Sequence, residues 1–233
     1  DITEELKQYS NTNLRIVRNS FNVRMTTNMM KSFLHCKTKW MWILSDDDEI
    51  CKGAVKIVYN YTKENMRAGY LKFSTDGTGT VGLESNREVK SLEEFIKYYS
   101  SDKFIRGGNA VFLSNGVYNL ENLYPFLGYG FEFSYTYISF LIPVLIGLNK
   151  GISVVFVEEK IVIYNPPKDG QWPFDEVALG LSTLSHVPLN LDKHYFKKLL
   201  NILMIIKFKK LFIYLLENKT KNAAMIYRLT HDN

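Results

Sequence analysis

The feature that most constrains this chain is the apolar run Trp40-Met41-Trp42-Ile43-Leu44, followed after Ser45 by three consecutive aspartates, Asp46-Asp47-Asp48. A run of that character reads as a buried strand. In an α/β protein such a strand ends at the sheet edge where ligands bind. Two carboxylates about 5 Å apart repel by about 3 kcal/mol at an effective dielectric near 20. Three neighbours therefore call for a counter-charge, and a hard divalent cation suits all-oxygen ligands best. The plainer alternative is a solvated acidic turn. The buried strand directly before the aspartates favours the ligand site.

The surrounding pattern supports a sheet with crossovers. Leu14-Arg15-Ile16-Val17 reads as a short strand, and residues 24–36 carry the helical stripe Met25, Met29, Met30, Phe33 and Leu34. Residues 49–64 read as a helix through Ile50, Val55, Ile57, Val58 and Tyr61, and Tyr70-Leu71-Lys72-Phe73 as the next strand. Strand, helix, strand, helix, strand at these spacings predicts a largely parallel sheet. The polar stretch from Ser74 to Lys90 reads as a mobile loop. Within it Gly77-Thr78-Gly79-Thr80-Val81-Gly82 formally fits a dinucleotide-binding glycine pattern, but no helix follows at once, so the loop reading wins.

Ser91 and Glu94 form a capping box ahead of Phe95, Ile96, Tyr98 and Tyr99. Arg106-Gly107-Gly108-Asn109 reads as a turn before the apolar run Ala110 to Leu113. Residues 134–148 read as a buried helix with a kink near Pro143. Two β-rich runs follow, Ile152 to Val157 and Ile161 to Tyr164. The breaker Asn165-Pro166-Pro167-Lys168-Asp169-Gly170 marks a boundary between residues 1–165 and 166–233.

Composition bounds the function. The 233 residues carry 46% hydrophobic and 14% aromatic residues, as a globular protein does. A net charge of +5 is too small to imply nucleic acid, and no nucleic-acid partner is expected. Cys36 and Cys51 have no metal or redox spacing and read as free, mostly buried thiols of a reducing compartment. With no secretory signal and no spanning apolar run, a cytoplasmic location is expected. The four histidines, His35, His186, His194 and His231, show no zinc or catalytic spacing. The chain opens at Asp1 without an initiator methionine, which suggests a fragment.

From Leu191 to Leu216 apolar residues alternate with Lys193, Lys197, Lys198, Lys207, Lys209 and Lys210. A basic amphipathic helix of this kind can lie on an anionic membrane surface. Packing against the rest of the chain, or against a second copy in a homo-oligomer, explains the same pattern equally well.

The segment from Leu14 to Ile50 resembles the family 2 glycosyltransferases. The matching text is Arg18-Asn19-Ser20-Phe21-Asn22-Val23-Arg24, then Asn28, then Trp42 to Ile50 with its acidic cluster. The resemblance implies a GT-A fold, a Rossmann-like α/β/α sandwich with a mostly parallel sheet, followed here by C-terminal helices. Arg24 and Thr27 stand where relatives often have glycine, and Ser45 replaces a frequent first aspartate. The family's first strand and the acidic turn after its second strand have no counterpart, and Asp1 to Leu6 looks like the helix that follows that turn.

The resemblance further implies an inverting transfer from a nucleotide-sugar donor to a glycan or lipid-linked acceptor, in bacterial cell-surface polysaccharide assembly. Mn²⁺ or Mg²⁺ would be held by Asp46, Asp47 and Asp48. If the segment is extended, Asp46 and Asp48 share one side; Asp48 then ligates the metal and Asp46 meets the ribose or metal-bound water. If the strand has already turned, Asp47 can take either role. Asn22 and Asn28 are candidates for donor contact, although Asn22 is equally a good helix N-cap. Arg24 could reach a phosphate or equally be a solvated surface charge. The general base is expected well downstream: Glu132 is the positional candidate, with Glu121 and Asp102 behind it. Two readings from other classes stay open, a two-metal nucleotidyl- or phosphotransferase and a non-catalytic membrane-associated binding module.

Overall fold

A computed structural model describes residues 14–76, 83–100, 107–165, 177 and 180–203. Helix α1 (Met25–His35) buries Met30 and Phe33, two members of the expected stripe. A short connection leads to β1 (Trp40–Trp42), and β2 (Glu49–Ile50) precedes α2 (Ala54–Glu64). Next come β3 (Tyr70–Asp76), β4 (Arg87–Val89), α3 (Leu92–Ser100), α4 (Gly107–Val111) and β5 (Gly116–Asn119). The short helices α5 (Leu120–Leu123) and α6 (Leu127–Glu132) lead to α7 (Ile142–Leu148). Strand β6 (Val154–Ile163) and helix α8 (Lys193–Leu203) complete the regular elements.

The strands form one sheet in the order β1-β5-β3-β6-β2, with β4 pairing β6 beside β2. Among the described residues only β3 and β6 pair in parallel; β5 is antiparallel to both β1 and β3. It follows that β1, β3 and β6 all run the same way, as the crossover pattern predicts. The expected largely parallel sheet is nevertheless corrected to a mixed one. The four-residue β5 is inserted against the common direction, and β2 and β4 pair with β6 antiparallel.

Strand β3 is buried on both faces, which alternation along the pleat divides between two cores. Tyr70 joins Tyr118 and Phe156 in the larger one, beneath Met30 and Phe33 of α1 and Phe95 and Ile96 of α3. Leu71 and Phe73 join Val117, Val157 and Ile161 in the smaller one, beneath Ile57, Val58 and Tyr61 of α2. Helices thus cover both faces of the sheet, the α/β/α arrangement expected. Leu199, Ile202 and Leu203 of α8, with Leu181, Leu184, Val187 and Leu189 before it, belong to the larger core. In α8, therefore, the apolar stripe faces inward, against α3 and α4. The basic sequence beyond Leu203 lies outside the described residues.

One polar cluster is sealed into this core. Glu84, only 4% exposed, accepts hydrogen bonds from Tyr98 (2.6 Å), Tyr99 (2.9 Å) and Asn109. Lys72 is fully buried and donates to the Phe112 carbonyl at 2.5 Å. Burial pushes the Lys72 ammonium down to about 7, against the opposing pull of the Glu84 charge. Burial likewise raises the Glu84 carboxyl, while its hydrogen bonds and Lys72 hold it down. A segment read from sequence as a mobile loop therefore includes a deeply fixed residue: Ser74 to Asp76 extend β3, 87–89 form β4, and 77–82 lie outside the described residues.

Several local expectations are corrected. Residues 14–17 form no strand; Leu14, Ile16 and Val17 are exposed, with no described strand beside them to pair with. The second helix starts at Ala54, because Glu49 and Ile50 pair with Ile163 and Val162. Residues 107–111 are helical instead of a turn. The helix expected over 134–148 covers only Ile142–Leu148, and Pro143 sits in its first turn, where its missing N–H costs nothing. The two β-rich runs are one strand, irregular where β3 passes from Phe73 to Thr75. Cys36 and Cys51 are free but only half-buried. The capping box is present in modified form: Ser91 accepts from the Glu94 N–H, and Glu94 reaches back to the Lys90 N–H.

Asn22 does not cap α1. Arg24 occupies the N-cap with φ 63° and ψ 166°, and its N–H donates to Asn22 Oδ1 at 2.9 Å. That backbone region is open in practice only to glycine and costs other residues about 1–3 kcal/mol.

Two expectations follow. Arg24→Gly should raise unfolding stability by about 1 kcal/mol, since relief of strain outweighs the added freedom of the unfolded chain. Urea unfolding checks this, and a loss of stability would show that the strain is not there. The second concerns Lys72. Between about pH 7 and pH 9 the unfolded chain holds a proton on this lysine that the native state has released, so raising the pH stabilises the fold. The slope contributed is at most about 1.4 kcal/mol per pH unit. In Lys72→Met this part of the rise should vanish; parallel pH profiles of the two proteins would refute the assignment.

Candidate active site

The buried strand expected over 40–44 is corrected: β1 lies at the end of the described strand order, only Met41 of it is buried, and it stops at Trp42, four positions before Asp46, where the chain turns. The Asp48 N–H closes the turn on the Ser45 carbonyl at 3.4 Å. Asp46 and Asp48 are thus not neighbours along one side of an extended strand. Asp46 and Asp47 are exposed, and Asp48 is half-buried. The Asp46 and Asp47 carboxylates make no hydrogen bond or ion pair among the described residues, whereas both oxygens of Asp48 are engaged.

Asp48 Oδ2 accepts from the Ser114 hydroxyl at 2.6 Å, and Oδ1 from the Asn165 N–H at 3.3 Å. Ser114 is fully buried in the connection between α4 and β5. Its hydroxyl oxygen also accepts from the Ser45 N–H (3.0 Å), and its carbonyl from the Trp42 indole (2.6 Å). Asn165 follows β6, and its side-chain amide donates to the Asp47 carbonyl (3.0 Å) and to Glu49 (3.2 Å). Partial burial is the main influence on Asp48 and lifts its carboxyl above the usual aspartate value. The bonds from Ser114 and Asn165 oppose this, and the charges of Asp47 and Asp46 add to it. Burial and the Asp48 and Asp47 charges also raise the Tyr164 hydroxyl.

The sequence reading missed Ser114 and Asn165. Asn165 had a signal, as the residue between a β-rich run and a Pro-Pro breaker. Ser114 had none, because its partner lies 66 residues away.

The asparagines gather at the start of α1. An open cleft of about 480 Å³ is lined by Asn19, Phe21, Asn22, Arg24 and Asn28, together with Val23 and Met25. Asn19 donates to Asn28 Oδ1 at 2.7 Å and accepts from Lys31. Asn22 and Asn28 are therefore brought together; the aspartates do not line this cleft.

Glu132 is exposed at the C-terminal end of α6, ahead of a turn of helix over 134–136 that packs on α1. Gly130 lies against Met30 of α1, and the Ser139 hydroxyl reaches the Thr26 carbonyl at 3.4 Å. The segment carrying Glu132 thus rests on the helix that carries Asn28. Glu121 is paired with Lys39 at 2.7 Å, at the beginning of β1 and so at the opposite end of that strand from the aspartates. Asp102 lies outside the described residues.

The donor set suits a hard cation in one particular way. Among the described residues no three Asp, Glu, His or Cys side chains are grouped to enclose a metal. Each Asp48 oxygen, however, holds one hydrogen bond and keeps lone-pair capacity for another ligand. Mg²⁺-type ions bind in this fashion, through one or two carboxylates, with phosphates and water completing the shell. The oxygen-only donors fit such an ion.

Comparisons with known proteins bear on the family and the fold. The family model described as glycosyl transferase family 2 matches residues 1–117, just over half of the 233 residues. No curated protein matches the sequence. Among solved structures, S. aureus TarS 1-349 in complex with UDP-GlcNAc is 11% identical with a TM-score of 0.59, covering 92% of this chain and 66% of that one. TarS 1-349 without ligand gives 10% identity and a TM-score of 0.60, covering 97% and 67%. The complex with UDP gives 11% and 0.58, covering 98% and 73%. At such identities the likeness speaks for the fold, and this chain spans about two thirds of the TarS chain. The fold is GT-A-like, and with the match across its first half the chain belongs to glycosyl transferase family 2.

Proposed function

We propose that the chain carries the catalytic unit, residues 1–165, of a metal-dependent inverting glycosyltransferase, with a basic helical region over 166–233. It moves a sugar from a nucleotide-sugar donor to a glycan or lipid-linked acceptor in cell-surface polysaccharide assembly. The observation that carries the reading is the Asp46-Asp47-Asp48 turn at the exit of β1, in a chain of glycosyl transferase family 2. The donor class is supported by TarS structures that hold UDP-GlcNAc and UDP.

A bound Mn²⁺ or Mg²⁺ supplies Lewis acidity to the departing diphosphate. Asp48 would be the first ligand to such an ion, because its carboxylate is held in place; Asp46 or Asp47 would complete the pair or meet the ribose. Asn22 and Asn28 contact the donor from the start of α1. Glu132 takes the proton of the acceptor hydroxyl as that oxygen attacks the sugar carbon.

Two-metal chemistry would ask for a third carboxylate, and no group of three is found among the described residues. A purely non-catalytic module sits poorly with family membership. Among the described residues no helix is long and apolar enough to cross a membrane. The lysine-rich sequence after Leu203 is where an anionic membrane surface would be met.

In a transfer assay with Mn²⁺ and a panel of nucleotide sugars, the double variant Asp46→Ala/Asp48→Ala should lose at least about 100-fold in rate with its unfolding midpoint kept. Chelating the metal should have the same effect, reversed by adding Mn²⁺ back; undiminished activity in either arm would defeat the mechanism. Glu132→Gln should lower kcat by about 10²- to 10⁴-fold while leaving donor affinity within about twofold. Retained kcat would remove Glu132 as the base.

A further inference from the structure

We infer that Ser114 and Asn165 are positioning residues for the diphosphate end of the donor, clamping the Asp48 carboxylate from two separate loops, one leading into β5 and one following β6, so that it meets a metal ion without rearranging. The inference rests on the proposed metal-dependent transfer.

The geometry is asymmetric in a telling way. Among the described residues, of the three aspartate carboxylates only that of Asp48 is held, and it is held at both oxygens, by Ser114 at Oδ2 and by the Asn165 N–H at Oδ1. A carboxylate bonded from both sides cannot rotate freely, yet each oxygen retains capacity for one more ligand. Ser114 also grips the chain on the near side of the turn, through the Trp42 indole and the Ser45 N–H. Asn165 grips the far side, through the Asp47 carbonyl and Glu49. One buried hydroxyl and one amide thus tie the end of β1 to the ends of two other parts of the sheet. A merely solvated acidic turn has no use for such bonds. Partners of this kind around a metal ligand set its orientation, and their loss weakens metal binding by about 10- to 100-fold.

The test uses the 233-residue chain and its Ser114→Ala, Ser114→Thr, Asn165→Ala and Asp48→Ala variants. Hydrogen exchange across residues 43–50, in metal-free protein, reads the clamp itself. Calorimetric titration of Mn²⁺ in the presence of UDP reads its consequence. Ser114→Ala should speed exchange of the Ser45 and Asp48 amides and weaken Mn²⁺ binding at least tenfold. Ser114→Thr, which keeps the hydroxyl, should stay within about threefold of wild type, and Asn165→Ala should fall between the two. Unchanged exchange in Ser114→Ala would overturn the clamp while leaving the proposed transfer standing. Faster exchange with wild-type Mn²⁺ affinity would overturn the positioning role. If wild type and Asp48→Ala alike fail to bind Mn²⁺ with UDP, the metal-dependent reading itself falls, and the inference with it.

Discussion

Pairing on both edges of β5 is the constraint on which the rest of this structure depends. Strand β1 is only three residues long, and a strand so short gains little from a sheet unless a neighbour supplies its hydrogen bonds. Strand β5 does so, opposing Met41 with Tyr118, and on its other edge sets the same Tyr118 against Tyr70 of β3. The rings of Tyr70 and Tyr118 lie 4.8 Å apart, and Phe33 of α1 meets Tyr118 edge-on at 5.0 Å. One short antiparallel strand thereby joins the helix with the asparagine cleft, the strand with the aspartate turn and the centre of the sheet.

The approach to β5 does as much as the strand. From α4 into β5 the chain passes Asn109 within the helix, which donates to Glu84, then Phe112, whose carbonyl accepts from Lys72, then Ser114, which holds Asp48. A buried charge is costly unless paired and hydrogen-bonded. The three donors around Glu84 and the carbonyl on Lys72 meet that requirement and make the connecting segment rigid. That rigidity reaches the turn through Ser114, a buried hydroxyl with both a donor and an acceptor satisfied. At the other end of the molecule's polar inventory, Arg24 accepts a glycine-type backbone at the mouth of the asparagine cleft, a cost consistent with a site selected for geometry over stability.

Patterns confined to neighbouring residues were legible. The stripe of α1, the core strand β3, the common direction of β1, β3 and β6, and the helical covering of both faces all follow from periodicities of 3.6 and 2. The acidic turn and the asparagine pattern were likewise plain, and with them the family. Pairings across long sequence distances were not. Strand β5 carries Gly116 and Asn119 around two apolar residues and offers no periodic signal. Glu84 looked like loop because its burial depends on Tyr98, Tyr99 and Asn109. Leu14 to Val17 looked like a strand because β-propensity speaks for a fit to a pleated surface, and among the described residues no strand pairs with it.

The amino-acid sequence by itself determined the class of fold, the acidic turn after a short apolar strand and the membership of glycosyl transferase family 2, because each is written in residues close along the chain. Tertiary structure alone decided that the turn begins after Trp42, that Asp48 is clamped while Asp46 and Asp47 are not, and that α8 turns its apolar stripe inward. Those outcomes depend on hydrogen bonds between groups 66 and 117 residues apart and on which surfaces meet. No local propensity encodes that information.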